Sequence, residues 1–333
     1  MESIYYVMTW LCHRSCEHCY DDRFRPYHGD GLAGVLDESR GRFRRIIANL
    51  PGRMTFRDRG SDVERRGSII LAGGEVLLDQ VRESVLYPAL ELLRARYAEH
   101  GGCKLIVQTT GDLLTPRIAA ELRELGVWTV SVSGMDDFHA GLEGLRPRVA
   151  ALLEEAGFTH LAPVAGEARE ADDDGRYYHL FGATPDHWIG RLWPRGRAMA
   201  NELSSAGMED NFCARWSGGI HFLDSARRGS EVSIEPDGSV YPCCIKTRLP
   251  IGNAAGDPLE SILVRLRGNP VYEAINAGEP HKMGLSQGWS EETFREKSRL
   301  TLPSGRPYQN LCIGCDRFHE EVLIPLAAPA STA

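Results

Sequence analysis

Nine cysteines fall into groups whose spacing suits metal ligation. Cys12, Cys16 and Cys19 form a C-x3-C-x2-C run, and Cys103 stands alone. Cys213, Cys243 and Cys244 follow, and Cys312 and Cys315 close the series as a C-x2-C pair. Three thiolates as close as the first trio can hold three irons of a cubane and leave the fourth without a protein ligand, open to a cofactor. A fully ligated ferredoxin-type cluster would show a fourth Cys nearby. The alternative for the trio is zinc, which prefers four ligands and would recruit His13 or His18. Cys213, Cys243, Cys312 and Cys315 form a second set, compatible with four-thiolate ligation of either zinc or an iron-sulfur cluster. Cys244 directly follows a candidate ligand, and adjacent strand residues point to opposite faces, so the two cannot easily bind one metal. It reads as a small buried residue, and so does Cys103, at the start of an expected strand.

Elements must bring these groups together. Six expected strands, 4–10, 68–72, 103–110, 127–133, 160–165 and 176–182, alternate with helical stretches at 38–50, 79–100, 115–125, 141–156 and 185–192. In the second helix Val81, Val85, Leu86, Leu90, Leu93 and Tyr97 recur at helical spacing and form a core-facing stripe. Six β/α units predict an α/β fold, either a part-barrel or a doubly wound sheet, with chemistry at the C-terminal ends of the strands. The first cysteine run begins two residues after the first strand, and Gly73-Gly74-Glu75 follows the second, so both sit at one rim. Beyond about Arg197 the alternation stops. Pro236-Asp237-Gly238 between two short strands signals a hairpin. A short helix is expected over 257–267, with Asp257 as its cap and Pro258 in its first turn. The stretch 268–310 reads as mostly irregular, and 327–333 as a frayed tail.

Composition narrows the classes further. The chain has 333 residues, 38 Lys plus Arg against 46 Asp plus Glu, a net charge of -8 and 42% hydrophobic residues. No basic block points to nucleic acid, and no apolar run approaches the roughly 20 residues that span a bilayer. The start, MESIYYVMTW, lacks the basic and apolar regions of a secretory signal, so a cytoplasmic setting with reduced thiols is expected.

The segment Cys12-His-Arg-Ser-Cys16-Glu-His-Cys19 resembles the signature of the radical S-adenosylmethionine (radical SAM) superfamily. The resemblance implies a partial (β/α)6 TIM barrel over 1–197. His18 and Tyr20 then lie at the cofactor, with His18 near its adenine. Gly73-Gly74-Glu75 looks like the motif that receives the methionine ammonium, with Val76 in place of the frequent Pro. Thr109-Thr110-Gly111 sits where Thr-Asn-Gly is common, and Ser131 and Ser133 are candidate donors to the ribose or carboxylate. The implied chemistry is reductive cleavage of S-adenosylmethionine to a 5′-deoxyadenosyl radical that takes hydrogen from an unactivated C–H bond. The run from Ser233 to Cys243 is similar to the G-x4-C hairpin of the SPASM and twitch extensions. Pro194-Arg195-Gly196-Arg197-Ala198, Ile251-Gly252-Asn253 and Asp257-Pro258-Leu259 extend that match. It implies an auxiliary domain of β-hairpin plus helix over 198–326, with one cluster on Cys213, Cys243, Cys312 and Cys315. Cofactors are then S-adenosylmethionine and two [4Fe-4S] clusters, reduced by a partner such as flavodoxin or ferredoxin.

Cys12 lies near the start of the sequence, so no peptide-recognition domain is expected before it, which favours a small-molecule substrate. Acidic residues Glu17, Asp21, Asp22, Asp136 and Asp137 near the rim would attract a cationic one. The architecture resembles aminocyclitol and aminoglycoside tailoring enzymes, which oxidise a secondary alcohol or invert a carbon. Oxidation is the expected reaction. Inversion would use Cys244 as hydrogen donor. The same cysteine sets would also serve a peptide maturase or, without catalysis, a zinc-binding scaffold. His139 is a candidate acid or base, and Arg195 and Arg197 are candidate acid/base or carboxylate contacts.

Overall fold

The computed structural model describes residues 1–57, 63–133, 138–139, 142, 144–161, 173–182, 191–215, 218–224 and 226–327. Its strands are β1 (Ser3–Val7), β2 (Thr55–Arg57), β3 (Glu64–Arg66), β4 (Ser68–Ala72), β5 (Lys104–Thr109), β6 (Thr129–Val132) and β7 (Thr159–His160). They continue with β8 (Tyr177–Leu180), β9 (Glu231–Ile234), β10 (Ser239–Tyr241), β11 (Gly252–Asn253), β12 (Arg299–Thr301) and β13 (Pro307–Gln309). Nine form one sheet in the order β11-β10-β9-β1-β4-β5-β6-β8-β7. From β9 to β7 every pairing is parallel, and the two pairings at one edge, β9–β10 and β10–β11, are antiparallel.

All five residues of β1 are buried, as expected of a strand covered on both faces. Its period-2 alternation divides them: Ile4 and Tyr6 join the large core under the helices. Tyr5 and Val7 join a second cluster with Trp10, Phe24, Ala72, Cys243 and Cys244. Each fully buried aliphatic or aromatic side chain contributes roughly 1.5–3 kcal/mol.

The last two parallel strands are not in chain order. Thr159 and His160 of β7 are exposed, whereas Tyr178 and Leu180 of β8 are buried, so β8 takes the inner position and β7 the edge. The expected stripe from Val81 to Tyr97 is buried throughout. Its helix runs through a π-helical segment, Arg82–Leu86, placed just before Pro88, whose missing N–H breaks the regular ladder. The first helix begins at Gly29, nine residues before the expected Glu38: Leu32, Val35 and Leu36 already pack on the core at helical spacing, but Gly29, Gly31 and Gly34 among them weaken the helical signal.

The hairpin β9–β10 forms as expected, and the Asp237 carboxylate accepts from the Ser239 N–H and hydroxyl. The helix after it spans Leu259–Leu266 and is not capped by Asp257, whose carboxylate pairs instead with Arg265 at 2.6 Å. The stretch 268–310 is more regular than expected. It holds helices Pro270–Asn276 and Glu291–Lys297, capped by Asn269 and Ser290, and the β12–β13 pair. Most of the helix expected over 185–192, the second half of the strand at 160–165, the start of the helix expected at 141–156, and Asp136 and Asp137 fall outside the described residues. No described helix is long and apolar enough to cross a membrane.

Candidate active site and cluster sites

The first three cysteines lie in the loop leaving β1 at the rim, and their thiols interact with one another. Burial pushes the Cys12 thiol up to about 12 and the Cys19 thiol up to about 11. Thiolates there need a bound cation. Backbone pairing fixes the loop: the Cys12 N–H donates to the Arg25 carbonyl at 3.0 Å, and the Gly74 and Glu75 N–H groups donate to the Thr9 and Leu11 carbonyls at 3.0 and 2.9 Å. A side chain at Gly74 would lie 2.9 Å from the Cys12 Cβ, so only glycine lets the two loops touch.

Glu75 is buried and accepts four hydrogen bonds. They come from the Leu77 N–H at 2.9 Å, the Thr109 hydroxyl at 2.8 Å, and the Thr110 N–H and hydroxyl at 2.8 and 2.7 Å. This carboxylate therefore ties the end of β4 to the end of β5, where the sequence led us to expect a contact with the cofactor ammonium. Asp112, which the sequence reading missed, continues the tie. Its carboxylate meets His13 Nε2 at 2.8 Å and Arg14 Nη2 at 2.6 Å, inside the cysteine run. Burial raises its pKa, but the hydrogen bonds from His13 and Arg14 outweigh that and hold it well below the usual carboxylate range. An acidic residue one position after Thr-Thr-Gly was the only available signal.

The other rim residues fall into two groups. His18 and His139 are in edge-to-face contact with centroids 4.3 Å apart. Their ring nitrogens and the Cys16 sulfur lie within 4.8 Å of one another. That trio could also take a zinc ion. Ser131 is 2.7 Å from His179 Nε2, and the Ser133 hydroxyl donates to the Thr109 carbonyl at 3.2 Å. Both hydroxyls are thus engaged within the protein. Tyr20 turns from the rim into the second core cluster, its ring against Trp193 and Phe24.

Arg197, expected at a carboxylate, instead donates to three backbone carbonyls of the cysteine loop: Cys16 at 2.8 Å, Asp22 at 3.3 Å and Phe24 at 2.8 Å. The Ala198 N–H adds a bond to the Cys19 carbonyl at 3.1 Å, and Asn201 adds one to Glu17 at 3.0 Å. Gly196 has φ +58, and a Cβ there would meet the Asp21 nitrogen at 2.8 Å. The segment 196–201 is therefore a strap laid on the loop.

Two residues earlier, Arg195 faces the other cysteines. Cys213, Cys243, Cys312 and Cys315 surround one small enclosed space with Arg195, Phe212, Ile245, Ile275 and Leu311. Cys213, far from its partners in sequence, is brought among them. Burial pushes the Cys243 thiol up to about 11 and raises the other three further. Four cysteines around one small space suit zinc or an iron-sulfur cluster. Cys244 is buried among Tyr5, Trp10 and Ile245 in the second core cluster.

Between the strap, the cysteine loop and the C-terminal helix Leu311–Phe318 lies an open cavity of about 740 Å³. Its walls include Asp22, Arg23, Arg195, Lys246, Arg248 and Asp316. At one side Lys246 meets Asp21 at 2.8 Å and Glu235 at 3.0 Å, and Arg23 pairs with the same two carboxylates.

Residues 227–316 match the SPASM family, an iron-sulfur cluster-binding domain; the match includes Cys243, Cys312 and Cys315 and starts after Cys213. No curated protein sequence matches the chain. Solved structures similar to it include the following three. BtrN in complex with AdoMet and 2-DOIA has a TM-score of 0.46 at 15% identity, covering 84% of this chain and 88% of its own. Native anSMEcpe with bound AdoMet and Cp18Cys peptide has a TM-score of 0.46 at 14% identity, covering 97% of each chain. Streptococcus suis SuiB bound to S-adenosylmethionine has a TM-score of 0.44 at 13% identity, covering 83% of this chain and 67% of its own. The SPASM match makes residues 227–316 an iron-sulfur cluster-binding domain, and the C-x3-C-x2-C loop, held at the rim by Gly74 and Arg197, stands outside that match.

Proposed function

We propose that this chain is a radical SAM enzyme that oxidises a secondary alcohol of a small aminocyclitol or aminosugar. In this reading Cys12, Cys16 and Cys19, in the segment 1–197, hold the cluster that binds S-adenosylmethionine. Cys213, Cys243, Cys312 and Cys315, in 198–326, hold the auxiliary cluster, and a flavodoxin- or ferredoxin-like protein supplies electrons. S-adenosylmethionine bound beside a reduced cluster supplies hydrogen-atom abstraction from a C–H bond. The protein's own work is to orient the substrate and exclude water.

The observation that carries this reading is the charged cavity whose wall includes Tyr20, next in sequence to Cys19, and Asp316, next to Cys315. A volume of about 740 Å³ lies in the range of small-molecule sites. Asp22 and Asp316 offer acceptors to ammonium and hydroxyl groups, and Arg248 offers donors. Cys244 favours oxidation over inversion, because the cavity wall includes Tyr241 and Ile245 but not Cys244.

The test is incubation of the reduced, iron-loaded enzyme with S-adenosylmethionine and separate panels of aminocyclitols, aminosugars and Cys- or Ser-containing peptides. The expected result is 5′-deoxyadenosine together with a product two hydrogens lighter in the first two panels. Formation of 5′-deoxyadenosine with peptides alone would replace this proposal with peptide maturation.

A further inference from the structure

The Arg195 guanidinium sits beside the second cysteine set. Its charge acts on Cys312, Cys243 and Cys315, and Arg195 lines the space those sulfurs enclose. One face of the guanidinium pairs with Asp316, directly after Cys315. Its Nε is buried with no hydrogen-bond partner in the protein. An unsatisfied donor on a buried cation costs roughly 1–3 kcal/mol or more, and acceptors at the enclosed space would offset that cost.

The other charges nearby are arranged differently. Lys246 lines the same space, but its ammonium is taken by Asp21 and Glu235. Arg248 is half-exposed and lies against Asp316 and Glu320 at 3.7 and 3.0 Å. His319 is buried, and burial beside Arg195 and Arg248 pushes its pKa down to about 4, so it is neutral near pH 7. Arg195 is thus the cation whose charge reaches three of the four thiols, and Asp316 is its counterweight.

We propose that Arg195 is a potential-setting residue for the auxiliary cluster, making it a better electron acceptor, with Asp316 opposing it. A fixed positive charge in a low-dielectric site favours the reduced, more negative state of a nearby redox group, and a negative charge disfavours it. The proposal rests on the oxidation reading above, in which the electron left on the substrate carbon after hydrogen abstraction goes to the oxidised auxiliary cluster and the hydroxyl proton to water. Arg195 also lines the cavity proposed for the substrate, but in this role it acts on the auxiliary cluster. Its position two residues before Arg197 means that one short segment holds the first cysteine loop and charges the second cysteine set.

The test is a redox titration followed by electron paramagnetic resonance, in full-length enzyme carrying Cys12→Ala, Cys16→Ala and Cys19→Ala so that only the auxiliary cluster is seen. Arg195→Gln is expected to disfavour reduction about tenfold, a 59 mV negative shift for one electron. Arg195→Lys should stay near the parent. Asp316→Asn should shift the potential the other way, and it decides the matter if Arg195→Gln fails to load iron. Full iron and sulfide with an unchanged potential in Arg195→Gln, or in Asp316→Asn when that variant decides, would overturn the proposal. So would stoichiometric zinc with no signal. The titration needs no substrate, so a failed oxidation assay leaves its outcome intact, and the reverse holds as well.

Discussion

Gly74 and Cys12 are in contact across two loops that leave neighbouring parallel strands. A Cβ on Gly74 would sit 2.6 Å from the Leu11 carbonyl carbon and 2.9 Å from the Cys12 Cβ. The glycine is thus part of the geometry of the first cysteine. Gly74→Ala is expected to fold but to lose the first cluster. Iron should fall from about eight to about four per chain, since each cubane holds four. Anaerobic iron and sulfide analysis beside circular dichroism measures this, and a full complement of iron would contradict the contact.

Arg197 holds the same loop from the other side through three carbonyls. A lysine has one ammonium on a flexible stem and cannot reproduce the planar fork. Arg197→Lys should load iron but release it faster. The reading is the rate of bleaching of the charge-transfer band with a chelator, expected to rise at least tenfold with little change in secondary structure. Cys16→Ala, by contrast, should abolish 5′-deoxyadenosine formation outright.

Cys244 lies in the second core cluster with Tyr5 and Cys243, outside the cavity wall. Cys244→Ala should therefore leave both 5′-deoxyadenosine formation and product formation within a few-fold of the parent. It should also lower stability by about 1 kcal/mol through lost packing. Continued S-adenosylmethionine cleavage with product formation stopped, together with solvent deuterium entering the parent's product, would mean that the thiol delivers hydrogen and that the reaction is an inversion.

Glu231 opens β9 in register with Ser3 of β1. Burial, with Glu2 adding to it, pushes its carboxyl up to about 7. The folded state binds this proton more tightly than the unfolded chain, whose Glu titrates at about 4.3. The associated stability is therefore full below pH about 4 and is lost as pH rises through about 7. Glu231→Gln should remove that dependence, matching the parent near pH 4 and exceeding it at pH 8 by about 1–3 kcal/mol. Urea midpoints at the two pH values decide this, and a variant no more stable at pH 8 would refute it.

What the sequence made legible was whatever depends on local spacing. The cysteine run, Gly73-Gly74-Glu75, the β9–β10 turn and the stripe from Val81 to Tyr97 carry their geometry in a few adjacent positions. Contacts between distant segments were not legible. Arg197 lies 181 residues from Cys16, and Asp112 lies 98 from Arg14, and nothing local distinguishes an arginine that binds carbonyls from one that binds a carboxylate. Glu75 was expected to meet a ligand because Thr110, its partner, is 35 residues on. The helices Pro270–Asn276 and Glu291–Lys297 were missed because seven residues make too few turns for a period to register.

The pairing of β1 with β9 also has a consequence for how the chain is made. Ser3 donates to the Ser230 carbonyl, so one flank of the first strand is completed only after more than two hundred further residues have left the ribosome. At roughly 5–20 residues per second that flank stays bare for on the order of ten to forty seconds. An unpaired apolar edge such as SIYYV is a template for misassociation between nascent chains. Fragments that stop before β9 should therefore be recovered as aggregates, whereas a chain that reaches β9 covers that flank of β1.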